Sequence, residues 1–185
     1  MEQLMILNED GTPSGSIADR SIAHREGLLH GTSQIFIYRI RSGELEILLQ
    51  RRSEHKDSFP GLLDISCAGH VPLGESYESN ALKELSEELG IKAKSSDLTF
   101  VGYFRSSKIN EFYGQVFNDR QISAVYIMHL DVPSEKIVFQ EEEISEVFWM
   151  KDKDISKRLL VSDEEFCINA KRYFKVVSII KEAIN

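Results

Sequence analysis

The chain has 185 residues, of which 42% are hydrophobic, and a net charge of −8. That length and apolar content suit one soluble globular domain with a sizeable core. The acidic balance argues against non-specific binding to nucleic-acid backbones, and Cys67 and Cys167 form no zinc or disulfide spacing, which fits a reducing, cytoplasmic setting.

The start, MEQLMILNEDG, has no basic stretch followed by an apolar run, so no signal peptide is expected. No later stretch approaches the ~18–20 apolar residues needed to span a bilayer, so no membrane partner is expected either. Leu4 to Leu7 is apolar, a turn signal follows at 8–11, and a second run reaches Ala18. This predicts a β-hairpin closed around Asp10 and Gly11. Asp19 or Ser21 can cap a short helical turn through His24, which Gly27 breaks. The run Ile35, Phe36, Ile37, Tyr38 marks a buried strand over 33–39, Ser42 and Gly43 a turn, and 45–50 the returning strand. Arg51, Arg52 and Lys56 follow, then Pro60 and Gly61, and a third strand is expected over 63–68. From Gly69 to Ile91 the chain reads GHVPLGESYESNALKELSEELGI, a turn and then a helix ending at Gly90. Beyond it come a strand over 98–104, a polar hairpin loop over 105–120 carrying Phe112, Tyr113 and Phe117, and a strong strand over 122–130. An acidic loop at 140–143 precedes a strand over 147–150 and a short helix over 154–159. Ser162 is the expected cap of a long helix to Ala183, with Phe166, Ala170, Phe174, Val177 and Ile180 at helical spacing. Strands flanked by helices imply an α/β sandwich.

Chemistry concentrates in the helix after Gly69. Ala81, Leu82, Leu85 and Leu89 form its packing face, whereas Glu84, Glu87 and Glu88 project together from another. Three crowded carboxylates repel unless a cation neutralises them, and a hard ion such as Mg²⁺ or Mn²⁺ suits oxygen ligands. The order Gly69, five residues, Glu75, seven residues, Lys83-Glu84-Leu85, Glu87-Glu88, Gly90-Ile91 resembles the Nudix box, with Lys83 where arginine is usual. The resemblance implies an α/β/α sandwich with a mixed central sheet, an N-terminal β-hairpin and a C-terminal helix. It implies a single Nudix domain over 1–185, with 1–31 as a hairpin extension and 160–185 as the C-terminal helix. It also implies hydrolysis of a diphosphate linkage X-P-P-Y in a nucleoside diphosphate derivative. Glu87 and Glu88 would be the principal metal ligands and Glu84 a further ligand or base, with Gly69, Gly74, Glu75, Lys83 and Gly90 serving the motif's structure. The base can instead lie outside the box; of Glu141, Glu142 and Glu143, Glu143 is the chosen candidate, against the alternative of a solvated acidic loop.

The run LLQRRSEHKDSFPGLLDISCAGH resembles the isopentenyl diphosphate isomerase branch of the same superfamily, which implies that Arg52 and Lys56 hold a diphosphate; Arg51 is as readily a surface residue. That branch uses a cysteine where this chain has Ala68; Cys67, one residue early, would point to the opposite face of a strand. It also holds a metal with three histidines and a Glu-x-Glu pair. His70 and His30 match, His24 is out of phase by about one residue, and Asp119-Arg120-Gln121 stands at the carboxylate pair. A second metal on His30 and His70 is one reading, packed or capping histidines the other. The expected function is a Nudix hydrolase acting on a small-molecule diphosphate with no nucleic acid, with a homodimer left open. The alternatives are the isomerase, or a nucleotide-sensing domain without turnover.

Overall fold

The computed structural model describes residues 3–184; Met1, Glu2 and Asn185, at the two ends of the expected domain, lie outside the described residues. Strands β1 (Gln3–Leu7) and β2 (Pro13–Asp19) form the expected antiparallel hairpin. Helix α1 (Arg20–Glu26) follows and stops at Gly27, whose φ of 65° is a left-handed value that glycine adopts without steric cost.

The sheet is organised on β3 (His30–Arg41). Along one edge, β8 (Gln115–His129) runs parallel to it from His30 opposite Gln121 to Tyr38 opposite His129. The other edge is shared. β4 (Glu44–Arg52) pairs antiparallel with Tyr38 to Arg41, and β6 (Cys67–His70) with Thr32 to Ile35. The sheet therefore forks where β6 takes β4's place. Ser66 stitches the fork: its Oγ accepts from Ile37 N at 2.8 Å and donates to Leu48 O at 2.6 Å. Past the fork β4 pairs with β5 (Leu63–Asp64) and β9 (Ile144–Lys151), while β7 (Thr99–Phe112) covers the far edge of β8.

Alternation along β3 loads both faces, as expected of a strand buried on two sides. Ile35 and Ile37 pack with Leu48, Cys67, Ala81, Leu85 and Leu89 under helix α2 (Tyr77–Leu89). Phe36 packs with Ile47, Val125, Ile127, Tyr173 and Val177 under α3 (Asp152–Leu160) and α4 (Ala170–Ile184). This is the mixed-sheet α/β/α arrangement.

Three elements differ from expectation. The strand over 63–68 is two strands, β5 and β6, because Ser66 turns between the arms of the fork. The polar stretch 105–120 is not a loop; β7 and β8 stay paired through Phe112 opposite Gln115, with polar partners such as Ser106 and Gln121 facing each other. Hydrophobic alternation misses such a ladder because one face lines a polar cavity. The last helix starts at Ala170, not at Ser162. Phe166 N donates to Asp163 O in a turn, Glu165 O accepts from Leu63 N and Cys167 N donates to Leu63 O, so 163–168 is a turn bridged to β5 at Phe166 and not a helix. Asn169 caps α4 instead, its Oδ1 accepting from Arg172 N at 3.0 Å.

Candidate active site

Helix α2 is fixed at both ends. Ser76 Oγ accepts from Ser79 N at 3.1 Å and Ser79 Oγ from Ser76 N at 3.0 Å, a reciprocal cap. Gly90, at φ 62°, ends it where a Cβ would lie 2.8 Å from Val138 O. With Ala81, Leu85 and Leu89 buried, rotation of the helix is set, and Glu84, Glu87 and Glu88 all line one cavity of about 510 Å³ at the fork of the sheet. Gly69 is there for Glu84: a Cβ on it would sit 2.6 Å from Glu84 Cγ and closer still to the carboxylate. Glu88 is buried, and its Oε2 has no hydrogen-bond partner. Burial pushes its pKa up, against the opposing pull of Lys56, Cys67 and Arg52. A buried carboxylate with an unfilled oxygen beside two further glutamates fits a hard divalent cation, which would supply the missing positive charge.

Arg52 and Lys56 line the same cavity. Arg52 donates to Ser58 O from Nε at 3.0 Å and from Nη2 at 2.8 Å, and approaches Asp64 at 3.5 Å. Lys56 forms an ion pair with Glu143, and burial together with Arg52 lowers its ammonium below the usual range. Glu143 therefore reaches the cavity, while Glu141 and Glu142 are exposed and do not line it. Arg51 is also outside, donating to Gly61 O at 2.9 Å. Lys83 pairs with Glu75 at 3.5 Å on the surface, so these two motif positions brace α2 against its leading turn. Gly74 supplies that turn's φ of 84°.

The cavity gathers a second polar cluster. His24, His30 and His70 bring ring nitrogens within 4.8 Å of one another. His30 Nδ1 must donate to Leu28 O at 2.9 Å, since a carbonyl only accepts, and this leaves its buried Nε2 lone pair without a partner. His30 Nε2 lies 3.6 Å from Asp119 Oδ1, itself buried and lacking a hydrogen bond; His24 Nε2 lies 3.8 Å from the same oxygen. Burial holds all three imidazoles neutral, with His24 pushed down to about 3. Three neutral imidazoles and a carboxylate are a donor set for a borderline transition ion. The offset expected at His24 is corrected here: α1 buries Ala23 in the hairpin's own small core and thereby turns His24 to the cavity.

Ala68 lines the cavity, whereas Cys67 packs under α2 with its thiol pushed well up by burial and by Glu88, Glu84 and Asp64. The face inversion argued from strand alternation holds. Asp119 and Gln121 face the cavity as well, while the intervening Arg120 reaches away to Glu9. Among the lining residues that sequence reasoning passed over are Arg20, Arg172 and Cys167. Arg20 stands one helical turn before His24, a readable spacing. Arg172 stands on the buried stripe of α4 with Val176 and Ile180, where a charge among apolar positions is itself a signal. Cys167, its thiol raised by burial, reaches the cavity because its backbone is bridged to Leu63 of β5, which no local pattern shows.

Residues 32–168 match the NUDIX domain family. Nudix hydrolase 3 of Arabidopsis thaliana is 31% identical over 187 residues, covering 98% of this chain but 23% of that protein, so the chain spans about a quarter of its length. An isopentenyl-diphosphate Delta-isomerase of Aliivibrio fischeri is 25% identical over 186 residues, covering 100% of this chain and 99% of that protein. The crystal structure of DR0079 from Deinococcus radiodurans superposes with a TM-score of 0.66 at 22% identity, over 87% of this chain and 90% of that one.

Proposed function

The chain belongs to the NUDIX domain family, and on that premise we propose that it is a metal-dependent hydrolase that cleaves a diphosphate linkage X-P-P-Y in a nucleoside diphosphate derivative. The observation that carries this reading is the convergence of Glu84, Glu87 and Glu88 with Arg52 and Lys56 on one cavity, with a carboxylate oxygen of Glu88 buried and unpartnered. Mg²⁺ or Mn²⁺ held by Glu84, Glu87 and Glu88 would screen phosphate charge and acidify a bound water. Arg52 is already oriented by its bonds to Ser58 O, so its remaining donors can take a phosphate oxygen at little entropic cost. An arriving phosphate competes with Glu143 for Lys56, and release of that ion pair leaves Glu143 able to accept a proton from water. A single domain over 1–185, a small-molecule partner and a cytoplasmic setting complete the reading.

The test is a panel of nucleoside diphosphate derivatives with Mg²⁺ or Mn²⁺. A monophosphate product that vanishes in Glu87→Gln and Glu88→Gln supports the reading. Turnover that is silent, or indifferent to metal, overturns it, and ligand binding without product favours a sensing domain. A second reading, isopentenyl diphosphate isomerase, is favoured by the assembled His24, His30, His70 and Asp119 cluster. Against it stand Ala68 on the cavity wall and Gln121 in place of a carboxylate. Interconversion of the two isopentenyl diphosphate isomers would decide for it. In the hydrolase reading the same cluster binds a second, softer ion.

A further inference from the structure

Beyond Arg52 and Lys56 the cavity wall carries Arg20, Lys108 and Arg172, and of these only Arg172 is buried. Arg172 of α4 is 7% exposed. Its Nη1 donates to Gln34 Oε1 at 2.5 Å and its Nη2 to Ser106 Oγ at 3.3 Å, while its Nε is buried without a partner. Among the described residues no carboxylate forms an ion pair with it; Asp64 and Asp119 act on it only from further off. Partly buried cations of this chain are treated differently. Arg39 pairs with Glu46 at 2.7 Å and Arg52 leans on Asp64 at 3.5 Å. Taking a guanidinium out of water against neutral acceptors alone is costly, and a missing anion is the usual compensation.

The place of Arg172 says which anion. Arg52 and Lys56 come from the end of β4 and the loop beyond it. Arg172 reaches Gln34 on β3 and Ser106 on β7, on the far side of β6. Arg172 thus stands on the β3–β7 side of the cavity, apart from Arg52 and Lys56, while Arg20 is paired with Asp57 at 2.9 Å and Lys108 lies over the Phe59 ring at 5.0 Å. The Nε edge of a guanidinium offers two parallel N–H donors, the geometry that carboxylates and phosphates accept in pairs. Building on the hydrolase reading, we propose that Arg172 binds a second anionic group, a carboxylate or a phosphate, carried by the part of the substrate beyond the diphosphate. The substrate class narrows accordingly, to diphosphate derivatives whose X or Y moiety is itself acidic.

Two substrate pairs that differ by one remote anion test this: UDP-glucuronate against UDP-glucose for a carboxylate, and NADP against NAD for a phosphate. In the wild type with Mg²⁺, the charged member of at least one pair should be preferred in kcat/KM by about 10- to 100-fold, the factor that a charge-assisted hydrogen bond supplies. Most of that difference should lie in KM. In Arg172→Gln the preference should fall to near one, and Arg172→Lys should keep part of it, having charge without the fork. An equal loss on both members of each pair would mean that Arg172 serves the diphosphate itself, and an unchanged preference would mean that it serves neither; both overturn the proposal. A binding measurement separates this inference from the hydrolase reading. Stabilisation against heating by inorganic phosphate is read with the magnesium imidodiphosphate site saturated. The wild type should gain from added phosphate and Arg172→Gln should not. Absence of any response to imidodiphosphate counts against the hydrolase reading alone, whereas a phosphate response independent of Arg172 overturns the second-anion site whatever imidodiphosphate does.

Discussion

Gly69→Ala separates the geometry of the box from the stability of the fold. Gly69 is followed directly by the cavity-lining His70, and Glu84 lies across it. An added Cβ would be 2.6 Å from Glu84 Cγ, against an ordinary contact beginning at 3.4 Å. Glu84 Cγ must therefore retreat by about 0.8 Å, and its carboxylate by more. Gly69 does not adopt a left-handed φ, so the backbone accepts alanine without strain. The obstacle is the far end of a flexible side chain, which swings away cheaply, so the cost in stability should stay within about 1 kcal/mol. The cost to the reaction should be larger. A misplacement near 1 Å in a catalytic constellation removes about 10²-fold in rate. The assay is Mg²⁺-dependent phosphate-bond cleavage followed beside the thermal midpoint, with Gly69→Ala combined with Glu84→Asp as a partial rescue, since the shorter acid clears the new methyl. Full activity in the single variant would show that the reaction does not need Glu84 where it lies. An unfolded variant would show that the side chain cannot yield.

Glu88→Gln should raise the melting temperature of the metal-free protein, because it removes a buried charge that burial already disfavours, and should abolish the stabilisation by Mg²⁺; a lower metal-free midpoint contradicts this. His24 titrates near 3 when folded against an ordinary value of 6.5, so protons bind the unfolded chain first and metal-free stability falls as pH drops below 6.5. Between pH 7.5 and 5.5 His24 alone should cost about 1.4 kcal/mol, with His30 and His70 adding in the same direction, and denaturant midpoints measured at the two pH values check it. Lys83→Arg should leave turnover and stability within about 0.5 kcal/mol of wild type, since the Lys83–Glu75 pair is half exposed and 3.5 Å long. A tenfold loss of turnover there would mean that position 83 acts inside the cavity.

Local order was readable in the chain because it rests on periodicities of 2 and 3.6 and on glycines at fixed offsets. Helix α2, its glutamate face, its Gly90 stop, the N-terminal hairpin and the inversion of Cys67 and Ala68 all follow from such rules. What the tertiary structure alone decided involves contacts between distant segments. The fork at Ser66 splits one expected strand into two and opens the cavity in which glutamates of α2 meet Arg52 and Lys56. The β7–β8 ladder looked like a loop because its polar residues are paired across the sheet, where single-strand alternation carries no signal. The reach of Glu143 into the cavity, with Glu141 and Glu142 left exposed, goes with its ion pair to Lys56, 87 residues away. Arg172 meets Gln34 across 138 residues. A helix face can be read from its own spacing, but which charge it buries, and beside what, depends on chain crossings that spacing does not encode.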